Sequence, residues 1–297
     1  MSSTLFKEVM DKYYAIKDKG DSTFSLDFQS YDFKVDSTIA GLDPWFRAET
    51  EYTCELTNLY NKFTKELFRL HVLNNIIREY EPSIQPKLRY EFTVTALYYC
   101  LHQPNEYRNR MIYFCTHLCH YANLMTQKEY KDDLADDKYI DHKVLSNVSR
   151  KWKSSVRLIK VLDLLGNRNK EFKDNTNDFR DKAQHRQPPS LELGLTGSGL
   201  TSSVKRIRKN GNPITEDEIQ SSFFETNLFS DFQDVNQSSE VQEYIVYQLS
   251  ATQPLESKDI LPILIQQGEN MQSAFKEYWK LVKEHHLAIS QYMNMAE

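Results

Sequence analysis

Residues 43–80 read DPWFRAETEYTCELTNLYNKFTKELFRLHVLNNIIREY. Asp43-Pro44 is a helix-start signal: proline at a first helical position already has the required φ, and its missing N–H is one that the helix end leaves unpaired. After it Tyr52, Leu56, Leu59, Phe63, Leu67, Leu70 and Ile77 keep helical spacing to about Tyr80. That predicts a long helix with one continuous apolar face, which other elements must cover.

Working outward, the same period recurs. Residues 2–19 form a short amphipathic helix candidate, and residues 22–36 (STFSLDFQSYDFKVD) alternate partly, which fits an extended stretch or a short hairpin. Pro82 and Pro86 end the long helix. Two further helices are expected at 88–102 and 106–127, separated at Pro104, since an internal proline breaks the hydrogen-bond ladder. The acidic KDDLADD (131–137) leads into another long helix near 142–165, with Val148, Trp152, Val156, Ile159 and Leu162 on one face. A polar turn, GNRNKEFKDNTN (166–177), follows. Gly194, Gly197, Gly199 and Gly211 are half of the eight glycines and fall close together, and VKRIRKNGNPIT (204–215) with its Asn-Gly reads as a hairpin or a mobile loop. Residues 229–240 read as a polar linker, and a last helix from about 257 to 295 carries Leu264, Met271, Phe275, Tyr278 and Val282 on one face. The expected fold is all-α: a bundle of long helices with a Gly-rich irregular or hairpin insertion. Its expected organisation is 1–41 (N-terminal helix and extended segment), 42–190 (helical core), 191–256 (insertion and linker) and 257–297 (a helix packing on the bundle).

Composition bounds the function. Hydrophobic residues are 40% and charged residues 27% of 297, enough to bury a real core, and 18 Tyr with 16 Phe make that core aromatic. The net charge of −5 and pI near 6.0 argue against bulk coating of nucleic acid, so any such contact must be local. The start MSSTLFKEVMDKYY has no basic lead into an apolar run, and no stretch approaches the roughly 18 apolar residues of a membrane span, so no membrane partner is expected. Cys54, Cys100, Cys115 and Cys119 sit in helix-like apolar surroundings, which fits free thiols and a cytoplasmic location.

Chemistry concentrates in residues 177–190, NDFRDKAQHRQPPS. Pro188 and Pro189 force a helix here to end near Arg186. On that helix Asp181 and His185 are i,i+4 neighbours, close enough for the carboxylate to orient the imidazole. Arg180 lies about 140° around the helix from His185, so only its length or a loosened backbone lets both reach one phosphate. A histidine titrating near pH ~6.5 can take a proton from a ribose 2′-OH or return one to a leaving oxygen. A permanently charged arginine can brace the phosphate as charge builds.

The stretch Arg180-Asp181-Lys182-Ala183-Gln184-His185 resembles the signature of the HEPN superfamily, arginine, a polar residue, three residues and histidine. The resemblance implies an all-helical bundle and a metal-independent endoribonuclease, in a toxin–antitoxin or antiviral setting, acting as a homodimer that sets two motifs across one cleft. It makes Arg180 and His185 the catalytic pair and Asp181 the polar supporting residue, with RNA as substrate, an antitoxin or regulatory partner, and no cofactor. It covers few residues: the helical layout from about 45 to 190 is compatible, while the first 40 residues and the tail beyond 190 lie outside it. The trailing His-Arg-x-Pro-Pro is similar to an uncharacterised bacterial branch of that superfamily. A second match, Arg110 to His117, has Met111 in the polar position and reads as structural.

Other constellations read more plainly. CTHLCH (115–120) reads as buried thiols and satisfied histidines, because Cys115 and Cys119 would share a face that His117 leaves and no second pair stands at zinc-finger spacing; no metal is expected. His285-His286 reads as surface, KDDLADD as a solvated acidic face, and GLTGSG lacks the following Lys-Ser/Thr of a phosphate loop. Arg150, Lys153, Arg157 and Lys160 form a basic helix face, read as solvated. RNA binding is expected of Arg186 and of Lys205, Arg206, Arg208 and Lys209 in the insertion. Two further functional readings stand beside the nuclease: a non-catalytic HEPN-like module that dimerises or binds a partner, and a helical ligand- or nucleotide-sensing protein.

Overall fold

The computed structural model describes residues 3–32, 44–194, 196–208 and 241–296. It divides into two compact units, Met1–Gly194 with Gln253–Glu297, and Leu195–Thr252. The larger unit is helical. Three long helices, α2 (Pro44–Ile77), α3 (Gln85–Thr126) and, later, α8 (Ser257–Ala296), pack against one another. The apolar face of residues 43–80 is buried, with Leu56, Phe63, Leu67 and Leu70 fully so, against Leu97, Cys100, Tyr107 and Cys115 of α3 and Leu264, Met271 and Tyr278 of α8. At about 25 cal/mol per Å² of apolar surface, this burial is the main term holding the unit together. The Tyr278 hydroxyl, buried in this core, meets Thr53 Oγ1 at 2.9 Å and is thereby satisfied.

Helix α1 (Ser3–Lys19) buries Val9 and Tyr13 against the end of α2 and the start of α3, where the Phe6 and Phe92 rings stack at 5.0 Å. Residues 24–32 are neither helix nor strand. Their extended stretch is clamped by α2: Asn61 Oδ1 accepts from the Gln29 N–H at 2.7 Å and Asn61 Nδ2 donates to the Gln29 carbonyl at 3.0 Å. One amide side chain therefore supplies both bonds a partner strand would make. Residues 33–36, the rest of the predicted extended segment, lie outside the described residues.

Three sequence expectations need correction. First, α3 does not break at Pro104; it is a single helix of 42 residues with that proline inside it. Pro104 removes one donor, at a cost of about 3 kcal/mol. Gln103, Pro104 and Asn105 are buried, and tertiary packing along α3 outweighs the lost bond. Second, residues 142–165 make two helices, α4 (His142–Val148) and α5 (Lys153–Leu162). Asp141 caps α4 through the Lys143 and Val144 amides, and the Glu284 carboxylate of α8 accepts from the Lys153 and Ser154 amides at 2.9 Å each. A cap supplied from 130 residues away satisfies the donors that open α5. Arg150 therefore sits in the turn, donating to Asn147, and Val156 is exposed while Leu158 and Leu162 are buried. Third, His285 is fully buried, its Nε2 3.6 Å from Cys119 Sγ and its ring 4.3 Å from that of Trp152. The His286 ring rests 5.9 Å from Phe46.

The acidic segment is solvated as expected, with the Asp132 and Asp137 side chains 78% and 71% exposed, and it also touches α3. Asp132 binds His120 Nε2 at 2.9 Å and Asp137 lies 3.4 Å from His117 Nε2, so the segment docks on α3 through two histidines that precede it in the chain. All four cysteines are free, and among the described residues no helix is long and apolar enough to cross a membrane.

The smaller unit is a two-stranded antiparallel ribbon, β1 (Thr196–Arg208) with β2 (Val241–Thr252), in a register pairing Arg208 with Val241 and Thr196 with Thr252. The partner of β1 is thus a strand more than 30 residues on, while residues 209–240, with Asn210-Gly211 and the 229–240 linker, lie outside the described residues. Where the chain leaves the helical unit, Glu192 is buried at φ +62°; its carboxylate accepts from Thr93 and from the Ser257 amide. Burial pushes the pKa of Glu192 up, against the hydrogen bonds from Ser257 and Thr93.

Two predictions follow from the packing. Gly166 has φ +56° and an added Cβ would lie 2.5 Å from Asn105 Cγ, so Gly166→Ala is expected to cost about 1–3 kcal/mol in a urea melt; an unchanged midpoint would contradict the packing. Burial, then the nearby Lys151 charge, holds the His285 pKa down to about 3, below the ordinary value of 6.5. The folded state therefore keeps the imidazole neutral while the unfolded chain takes up a proton, and stability falls by about 1.4 kcal/mol per pH unit as pH drops from the unfolded toward the folded value. In His285→Asn the same series of melts at pH 7, 6 and 5 is expected to show a shallower slope.

Candidate active site around Arg180 and His185

The site is built on a short helix held at both ends. Helix α6 (Lys170–Asn175) buries Phe172 and takes its N-cap from Asn169, whose side chain accepts from the Phe172 amide. Asn177 and Asp178 then both adopt left-handed φ, 51° and 54°. These are two residue types that tolerate this conformation, and here they turn the chain into α7 (Phe179–His185). The Asp178 carboxylate accepts from Asn167 Nδ2 at 3.0 Å, and the Asn167 amide donates to Asn105 Oδ1 of α3 at 3.0 Å. The Gly166 amide donates to Gln267 of α8 at 2.8 Å. The turn leading into α7 is thereby tied, through Asn167 and its neighbour Gly166, to two of the three long helices.

Phe179 is the anchor of α7. It is buried, with its ring edge-on to Tyr98 at 5.8 Å and to His102 at 5.7 Å, both on α3. At the other end the Arg186 amide donates to the Lys182 carbonyl at 2.7 Å, Arg186 itself is extended, and Pro189 is buried. The helix stops at His185, where the prolines require it to.

Arg180 donates from Nη1 to Asp181 Oδ1 at 3.0 Å, with both side chains partly exposed. Burial acts to raise the Asp181 pKa, but hydrogen bonds from Arg180 and Asn167 and the Arg180 and Lys173 charges outweigh it, so the carboxyl stays below its ordinary range. Asp181 is therefore tied to Arg180, and among the described residues neither it nor any other group bonds the His185 ring, which is exposed. The guanidinium keeps donors free beyond the one it gives Asp181, enough to meet a phosphate.

His102 is a neighbour that sequence reasoning missed. Burial and then the Arg180 charge lower its pKa, and its buried Nε2 has no hydrogen-bond partner among the described residues. The signal available in the sequence is slight: an imidazole two positions before Pro104 and four after Tyr98, which is legible only once α3 is known to continue. Asn167 was hidden in the same way, inside a stretch read as a polar turn.

Arg186 is exposed just past α7. Lys205, Arg206 and Arg208 lie on β1, in register with Tyr244, Glu243 and Val241, while Lys209 lies outside the described residues. The second arginine–histidine match is structural: Arg110 pairs with Glu106 at 2.8 Å and Glu55 at 3.2 Å, and His117 with Asp137. Among the described residues no group of three His, Cys, Asp or Glu side chains could hold a metal ion. Compared with family models, with curated proteins and with solved structures, the chain has no match.

Proposed function

We propose that the protein is a metal-independent endoribonuclease of the HEPN type, with His185 as the proton-transfer group and Arg180 as the phosphate-bracing group. The observation that carries this reading is an exposed imidazole and a partly exposed guanidinium on one seven-residue helix that Phe179 and two prolines hold in place. In the reaction His185 takes the proton of a ribose 2′-OH, the 2′ oxygen attacks phosphorus, and the bond to the 5′ oxygen breaks, leaving a 2′,3′-cyclic phosphate and a 5′-OH. Charge gathers on the phosphate oxygens as this happens, which is where Arg180 acts. Asp181 takes a different part from the orienting one its spacing suggests: it holds the guanidinium. A second copy of the chain would bring a second Arg180 and His185 to the same strand and a proton for the leaving oxygen. A toxin–antitoxin or antiviral setting, with a partner that restrains the activity, belongs to this reading through the resemblance alone.

A second reading is a non-catalytic helical module that dimerises or binds a partner. It is favoured by the Arg180–Asp181 pair itself, since the guanidinium already has a carboxylate partner within the protein.

The purified protein, incubated with single-stranded RNA in EDTA, is expected to leave cyclic-phosphate ends. His185→Ala should lower kcat by about 100-fold or more, the contribution of one positioned acid–base group, and Arg180→Ala by a similar factor. Cleavage by His185→Ala at the parent rate would remove the assignment. A parent protein that neither cleaves RNA nor slows growth on expression would leave the binding module.

A further inference from the structure

Helices α5 and α8 flank an open groove of about 720 Å³, apart from the residues of α7. Arg157 on α5 and Lys276, Lys280 and Lys283 on α8 line it, and the one carboxylate in the lining is Glu277. Glu277 accepts from Lys280 at 2.9 Å and lies 3.2 Å from Arg157 Nε, with only 8% of its side chain exposed. Four cations thus meet one anion. Among the described residues no carboxylate is within ion-pair reach of Lys276 or Lys283. In a chain with a net charge of −5, this is a concentrated local excess of positive charge.

Two further properties give the groove a ligand class. Trp279 lines it and is partly exposed, whereas Trp45 and Trp152 are 0% and 2% exposed, and the Lys283 ammonium lies 6.0 Å from the Trp279 ring centroid, so an indole and a lysine stand together in the lining. Val161 and Leu164 add apolar surface, and Leu164 is 48% exposed. A second cavity, of about 420 Å³, shares Leu164 and Asn270 with the first; Asn169, Gln266 and Gln267 line it further, together with the Glu171 carboxylate and the apolar Phe172, Pro262 and Ile263. The walls are pinned, by Glu284 capping α5 and by Glu277 reaching Arg157, so the groove is formed before any ligand arrives.

We propose that this groove binds single-stranded RNA, its phosphates on Arg157, Lys276, Lys280 and Lys283 and a base against Trp279. Cations that follow a backbone, with an aromatic platform beside them, are the two parts of a strand-binding surface that does not read sequence. The continuation into a second cavity, where apolar side chains and four amides can meet a base while Glu171 disfavours a phosphate, favours a strand over a single nucleotide. A role in holding a substrate rests on the ribonuclease reading; the binding itself does not.

The test separates the two. A labelled 2′-O-methyl oligoribonucleotide has no 2′-OH to attack, so fluorescence anisotropy with the full chain reads binding without cleavage. Lys276→Gln with Lys283→Gln breaks no ion pair among the described residues, although it takes the Lys283 ammonium from over the Trp279 ring, and is expected to weaken binding at least tenfold. It should also flatten the salt dependence by about 1.4 in log–log slope, two charges at about 0.7 each. Trp279→Leu is expected to weaken binding about tenfold, as one lost stacking contact does, and binding should quench tryptophan fluorescence in the parent. His185→Ala should bind as the parent does even if it no longer cleaves. Unchanged affinity in the double lysine variant, with a parent-like melting temperature, would overturn the proposal. So would equal affinity for a mononucleotide, or for a polyglutamate peptide of the same charge.

Discussion

The burial of α3 between its neighbours is the constraint on which the rest of the helical unit depends. A helix of 42 residues with a proline near its middle would bend or part in water. Here Leu97, Cys100, Leu101, Tyr107 and Met111, on both sides of Pro104, are all buried, mainly against α2 and α8. Losing one backbone bond costs about 3 kcal/mol, whereas truncating a single buried leucine costs about 2–5 kcal/mol. Several such residues flank the proline, so packing decides the geometry. Because α3 stays continuous, Asn105 stands where it can receive the Asn167 amide, and Tyr98 and His102 stand where Phe179 can dock.

The candidate site therefore depends on the core although the Arg180 side chain is partly exposed and that of His185 exposed. Only Phe179 of α7 is buried, and a helix of seven residues has little stability of its own. Its position comes from that ring, from the two left-handed residues before it and from the prolines after it. Positioning of this kind is what an exposed acid–base group needs, since proton transfer requires a fixed approach but not a buried one. The cationic groove is fixed in the same manner, by two carboxylates of α8 that reach across to α5.

Buried polar groups do the detailed fitting. His285, Glu192 and the Asn105–Asn167–Asp178 series all sit where long elements meet, and most of their bonds join residues far apart in sequence. Their burial moves His285 toward the neutral form and Glu192 toward the protonated one, so the same groups that specify the packing make it sensitive to acid or base.

By themselves, the apolar pattern and the prolines determined the helical class, the start and course of α2, the C-terminal helix and an end to α7 near Arg186, because each depends on spacing or on proline within one turn of the chain. The Arg180 to His185 spacing was equally open to view. Tertiary structure alone decided that α3 runs through Pro104, that α4 and α5 separate, that His285 is buried, that Asp181 turns to Arg180, and that Lys276 and Lys283 share a groove with Arg157. Each of these rests on a partner tens of residues or more away, or on a choice between two side chains equally near in sequence. Local periodicity carries no record of such pairings, since they exist only once the long helices have met.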